Sequence, residues 1–283
     1  GLAGNPRTVL IEDSEITGAE REAITFWANN NASFTMERSE IKNNVSQNND
    51  LIRISNFGSV VFEGNEITGN KRAYVRIQEF RGDVSFKGNT FSNNRSGSVR
   101  ISDGYQEDLS ILIEGNTVSE GGGDNWFGEV AVNSIQQGAE IVIQNNTIEN
   151  RGTGIQVYDY YNNDAKILGN TIKGTQQQST GIRVSGRTKS TIQNNTIENK
   201  QDGISLEYND ANGDGSSTVT GNVIKGNSGY GIRVEQYAKP VISLNDIENN
   251  NGYAVDNQSA FTVDARNNWW GETLTATIEE GDN

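Results

Sequence analysis

Gln144-Asn145-Asn146-Thr147-Ile148-Glu149-Asn150 recurs letter for letter as Gln193-Asn194-Asn195-Thr196-Ile197-Glu198-Asn199, with a looser copy, Leu168-Gly169-Asn170-Thr171-Ile172-Lys173-Gly174, between them. The steps from copy to copy are 24 and 25 residues. Self-similarity at a fixed period of this size marks a solenoid, in which each unit buries its apolar face only by stacking on its neighbours.

Working outward, the second Asn of the motif, or the residue standing in its place, marks eleven registers: Ser14, Ser39, Asn65, Asn89, Asn116, Asn146, Asn170, Asn195, Asn222, Asn245 and Asn268. Two places after the marker the residue is always apolar, from Ile16 and Ile41 to Ile247 and Trp270. Three places before it the same holds, from Ile11 and Met36 to Ile242 and Ala265. These are the inward positions of stacked coils. A second segment in each unit alternates apolar and polar, as in Ile52-Arg53-Ile54, Val75-Arg76-Ile77, Val99-Arg100-Ile101, Ile182-Arg183-Val184, Ile232-Arg233-Val234 and, weakly, Tyr253-Ala254-Val255. Period-two alternation in short β-branched runs predicts strands with one buried face. The expected fold is all-β: a single-stranded, right-handed parallel β-helix of about eleven coils over residues 9–270, within one domain of 1–283. At about 4.8 Å per coil the axis runs roughly 50 Å. The marker asparagines are expected to stack as a hydrogen-bonded ladder, each preceded by a residue in the left-handed conformation that Gly and Asn tolerate.

The repeated "GNTI…GIxV" unit resembles the right-handed β-helix repeats of the pectate-lyase-like superfamily. Arg266-Asn267-Asn268-Trp269-Trp270-Gly271 resembles the closing "NNWWG" of repeat modules in secreted and surface proteins of bacteria and archaea. The resemblance implies the fold and a secreted or cell-surface location. It does not imply an activity, because the superfamily holds lyases, hydrolases, epimerases, tailspikes and inert stalks.

Composition narrows the choice. The formal charge is −14 and the pI about 4.5, which argues against nucleic-acid binding over the general surface. The chain has no Cys and no His. That leaves no disulfide, no thiolate zinc site and no His-dependent mechanism, including those the resemblance implies for hydrolases and alginate epimerases. No apolar run is long enough to span a membrane. The chain opens mid-pattern at Gly1, and residues 1 to 8 are too few to cap the first coil. The other end is expected to be closed by Trp270, with 271–283 as a tail leading to a further segment of a larger protein.

The candidate ligand-binding residues lie on and beside the second strand. Its outward slot holds Arg53, Arg76, Arg100, Arg183 and Arg233, three of them in consecutive coils. Like charges stacked directly are unfavourable unless something compensates. Aromatic residues follow the strand: Phe57, Phe80, Tyr105, Tyr160, Tyr208 and Tyr237. Guanidinium forks fit carboxylates and rings stack on sugar faces, so this pattern suits an anionic polysaccharide. The competing reading has nearby acids neutralising the arginines while the rings pack over loop edges. Trp126, in the Gly-rich loop 120–127, is a further candidate for sugar stacking or for packing on the coil. Asp210, Asn212 and Asp214, in the D-x-N-x-D-G half of a calcium-loop pattern, form with Glu207 or Glu235 a candidate Ca2+ site, against a plain polar turn.

The reading that results is a non-catalytic secreted or surface module that binds anionic polysaccharide or adheres. A polysaccharide lyase using Arg as base, and an inert spacer, are the alternatives.

Overall fold

The computed structural model describes residues 7–28, 31–45, 50–71, 74–94, 97–121, 128–175 and 179–272. Among them the chain forms three parallel sheets of ten strands each. Sheet A runs from Thr8–Glu12 to Lys239–Ser243, sheet B from Glu15–Thr17 to Asp246–Glu248, and sheet C from Ile24–Trp27 to Val255–Ser259. In every sheet each strand pairs with the strand three further along the chain, so each coil contributes one strand to each sheet. The molecule is a β-solenoid of ten three-stranded coils, or nine complete turns. The expected eleven is too many because the last register adds only two isolated bridges, Val241 to Asp264 and Asp246 to Trp269.

The core follows the two apolar columns. From Met36 to Ile242, three places before the marker, and from Ile41 to Ile247, two places after it, every side chain is buried. Ile11, Ile16, Ala265 and Trp270, at the two ends, are partly buried against the core. Phe62 and Phe86 stack face to face at 4.7 Å in successive coils.

The corner between sheets A and B is the marker itself. The residue before it has positive φ in all eleven registers, even where it is Asp13, Arg38 or Leu244. An L-residue other than Gly, Asn or Asp adopts this conformation at a cost of about 1–2 kcal/mol. The corner is held because the next side chain locks it. From Asn65 to Asn245, each marker Nδ2 donates to the Oδ1 of the next marker at 2.9–3.0 Å and to a sheet A carbonyl of the preceding coil at 2.8–3.0 Å. Its backbone N–H donates to the same Oδ1. Ser39 joins the ladder by donating its backbone N–H to Asn65 Oδ1.

A second ladder, which the repeat analysis did not anticipate, stands at the corner between sheets B and C. Asn44, Asn70 and Asn94 bond in series, as do Asn227 and Asn250. At the entry to sheet C the coils approach so closely that a Cβ on Gly154, Gly181, Gly203 or Gly231 would sit 2.5–2.7 Å from a carbonyl oxygen of the next coil.

These ladders set a large penalty for truncating one rung. Asn170→Ala leaves the Ile143 carbonyl and the Asn146 donors, all buried, without their partner. At about 1–3 kcal/mol per orphaned group, a loss of about 3–5 kcal/mol is expected. Asn212→Ala, in an exposed turn, should change stability by less than about 0.5 kcal/mol. Urea unfolding of the two variants beside the wild type makes the comparison, and equal midpoints would show that the ladder is not what holds the coils.

Candidate functional site

Sheet C carries the candidate residues on its outer face because its central residue alternates outward between two core positions. The pairing places Thr25, Arg53, Arg76, Arg100, Ala131, Gln156, Arg183, Ser205 and Arg233 in one continuous column. The last coil departs from the expected register. Arg233 pairs with Asp256, not Ala254, because the final strand is Val255–Ser259.

Arg53, Arg76 and Arg100 therefore stand side by side, as expected, but they meet a carboxylate that the sequence reading did not single out. Asp50, buried at the entry to its strand, is ion-paired with both: Arg53 Nη2 lies 2.8 Å from Oδ2 and Arg76 Nε 3.2 Å from Oδ1. Further along, Arg183 lies 3.5 Å from Glu207. Arg233 lies 3.6 Å from Asp202 and 3.8 Å from Asp256, with its guanidinium 4.6 Å above the Tyr230 ring. The ring of Tyr253, well exposed, stacks on Tyr230 at 6.2 Å. The two ends of the column are thus built alike, from arginine and acid together.

The aromatic flank divides in two. Phe57 and Phe80 are completely buried, which corrects the expectation of exposed rings. The cause is local: Asn56 and Glu79 take positive φ, which breaks the strand's alternation and turns the following side chain inward. Phe57 packs edge-on against Phe34 at 5.9 Å. Tyr208 is also buried, its hydroxyl donating to Asn162 Oδ1 at 3.1 Å, and Tyr237 is partly buried against the core. Tyr105 and Tyr160, at the corner from sheet C to sheet A, remain about half exposed. Arg81 lies 5.9 Å from the Tyr105 ring centroid and also lines a cavity of about 470 Å³ with Ala32, Ser33, Gly58, Ser59 and Gln106. Trp126 lies outside the described residues.

Tyr160 is exposed because Asp159 takes the inward position instead. No left-handed residue lies between Ile155 and Tyr161, so the alternation Val157 in, Tyr158 out carries Asp159 into the interior. Asp159 is fully buried; its Oδ1 accepts the Tyr160 N–H at 2.8 Å and its Oδ2 accepts from Asn163 Nδ2. Burial pushes its carboxyl up to about 6, with the hydrogen bonds working against that rise.

In the candidate calcium loop, Asp210 Oδ1 accepts the Asn212 N–H at 3.0 Å and Asp214 Oδ1 accepts the Ser216 N–H at 3.2 Å. Asp210 also faces Arg187 at 3.4 Å and Asp214 faces Lys189 at 4.0 Å, while Glu207 is engaged by Arg183 and Gln236. Among the described residues no three His, Cys, Asp or Glu side chains gather to hold a metal. Asp210 and Asp214 each close a local turn and face a base of their own.

The Asp159 environment makes a pH prediction. A carboxyl that holds its proton more tightly folded than unfolded destabilises the fold above its folded pKa. The penalty is relieved as pH falls from about 6 toward the unfolded value. This contribution is on the order of 3 kcal/mol. The stability of the wild type relative to Asp159→Ala should therefore rise as pH is lowered from about 7 to about 4.5. A difference that stays flat over this range would contradict the assignment.

No curated protein matches the chain significantly. A family of the description "Right handed beta helix region" matches residues 2–133 and, overlapping, 111–270. Ten coils with a single strand order in all three sheets agree with that description, and the chain belongs to the right-handed β-helix family.

Proposed function

We propose that the chain is a non-catalytic secreted or cell-surface β-helix module whose sheet C face binds anionic polysaccharide weakly. The observation that carries this reading is the register of Arg53, Arg76 and Arg100, three guanidinium groups in adjacent coils, two of them sharing Asp50. Parallel strands space the groups by about 4.8 Å, close to the rise per sugar of an extended uronate chain. Successive carboxylates can then meet successive guanidiniums in the forked geometry that arginine favours. Tyr105 and Tyr160, exposed at the neighbouring corner, supply ring faces for sugars. Exposed ion pairs contribute only about 0.2–1 kcal/mol each, so binding needs several sugars and weakens with salt. The resemblance to pectate-lyase-like repeats supports a carbohydrate ligand and an extracellular setting, and Ca2+ at Asp210, Asn212, Asp214 and Glu207 remains part of this reading as an accessory to binding.

An inert spacer is the second reading, and it too has an observation in its favour. Arg53, Arg76, Arg183 and Arg233 all face carboxylates of the chain itself.

The test compares wild type with the Arg76→Ala, Arg100→Ala double variant on polygalacturonate, alginate and a neutral glucan, with and without calcium. The wild type should retain both acidic polymers and not the glucan, without releasing the ultraviolet-absorbing unsaturated ends that a lyase makes. The double variant should bind them between about two-fold and thirty-fold more weakly. If the two proteins bind all three polymers alike, or neither binds any, the spacer reading holds.

A further inference from the structure

The corner between sheets B and C is interrupted in the middle of the molecule. Four places after the marker, Gly18, Asn43, Gly69, Asn93, Glu120, Asn199, Gly226 and Asn249 all have positive φ, whereas Asn150 and Gly174 do not. In those two coils the sheet B strand has four residues, Thr147–Asn150 and Thr171–Gly174, against three in the other coils apart from the irregular Thr117–Gly121. The second asparagine ladder is absent there, and Lys200 spans the gap.

Lys200 occupies a ladder position, its backbone N–H donating to Asn227 Oδ1 at 2.9 Å. Its side chain runs back along the axis past Gly174, where a Cβ would lie 2.9 Å from Lys200 Cδ and 1.9 Å from the Asn199 carbonyl oxygen. Only a residue without a side chain leaves this passage open. Nζ ends two coils away, 2.9 Å from Asn150 Oδ1 and 2.5 Å from the Gly152 carbonyl oxygen. Asn150 Nδ2 donates to the carbonyls of Gly152 and Thr153, both at 3.0 Å. The Glu129 backbone N–H donates to the same Thr153 carbonyl at 2.9 Å, and its carboxylate accepts from Ser98 Oγ at 3.0 Å. Lys200, Asn150 and Glu129 each have no solvent exposure. A C=O bond is about 1.2 Å long, so the Asn150 Cγ lies within about 4.1 Å of Nζ.

A buried amine and a primary amide are thus in contact at one turn. We propose that this cluster is a self-modifying site at which Lys200 and Asn150 become joined by an amide cross-link. The neutral amine Nζ attacks Cγ of Asn150, forming the new C–N bond. As the adduct forms, a proton passes from Nζ to Nδ2. The Cγ–Nδ2 bond breaks, and the nitrogen departs as ammonia. A primary amide and an amine become a secondary amide and ammonia, with no change of oxidation state and no co-reactant. Burial lowers Lys200 to about 8, partly offset by Glu129, so the neutral amine is accessible near physiological pH. The preorganised contact replaces an encounter between separate groups, which is where most of the rate of such a reaction comes from. The product closes a loop between positions 50 residues apart in a chain that has no cysteine.

The test is the intact mass of the purified full chain under denaturing conditions, followed by peptide mapping. The expected result is a mass lower than the sequence requires by one ammonia, and a branched peptide that joins the segments holding Lys200 and Asn150. Lys200→Met should show its full sequence mass and no branch. A wild-type chain of full mass with two separate linear peptides overturns the proposal and leaves Lys200 as a hydrogen-bonded strut. Loss of ammonia without a branched peptide, as from cyclisation of an asparagine onto its own backbone, overturns it as well. The wild-type measurement decides the matter even if a variant does not fold.

Discussion

The side-chain amide of asparagine, repeated once per coil at the corner from sheet A to sheet B, is the interaction on which the architecture depends. A solenoid coil must turn sharply between strands while keeping its buried backbone groups bonded. The amide has two donors and one acceptor oxygen, which is what the corner requires. One donor satisfies a carbonyl of the coil before, the other the amide of the coil after, and the oxygen accepts two bonds in return. Because each rung depends on the next, the corner geometry is imposed even on Arg38 and Leu244, which would not choose it alone. Serine can stand in only at the start of the row, where Ser39 carries half of the pattern.

The same corners decide what reaches the surface. Where a left-handed residue stands at or just past the end of the sheet C strand, as at Asn56, Glu79, Ser134 and Gln236, the next side chain is directed toward the core. Phe57, Phe80 and Ile135 fill the interior for that reason, and Tyr237 leans against it. Where no such residue intervenes, Asp159 is carried inside and Tyr160 is left out. A single backbone conformation therefore exchanges a ring for a carboxylate between core and solvent. It also sets the chemistry of the candidate face, which ends up with arginines braced by acids and a few tyrosines at its edge, without a continuous aromatic wall.

The repeat made the fold legible. The marker column, the two apolar columns and the arginine slot all appear in the structure in the positions that their spacing implies. What the spacing did not convey was the third strand of each coil, split from its neighbour only by one left-handed residue, and the weak pairing of the last register. The second ladder had a visible signal, Asn44, Asn70, Asn94, Asn227 and Asn250 at a constant five places after the marker, which a search for a second asparagine column would have found. The acids at the candidate face were less accessible. Asp50 and Asp202 are the first residues of their strands and Glu129 comes one residue before its strand, so their burial depends on how the corner folds and not on the alternation of the strand. The aromatic flank was misjudged for the same reason: alternation was extended across residues at which the backbone reverses it.

The coil-by-coil pairing also bears on how such a molecule changes length. Each coil meets the rest through the same hydrogen bonds above and below, so removing or duplicating one whole coil of 24 or 25 residues joins surfaces that already match. The stretch from Asn150 to Lys200 is the exception. Lys200 reaches across an intervening coil whose Gly174 leaves it room, and a coil gained or lost there would part the amine from the amide. Growth and shortening by recombination would be tolerated toward either end and resisted in the middle, which makes the centre of the solenoid its fixed segment and its flanks the adjustable ones.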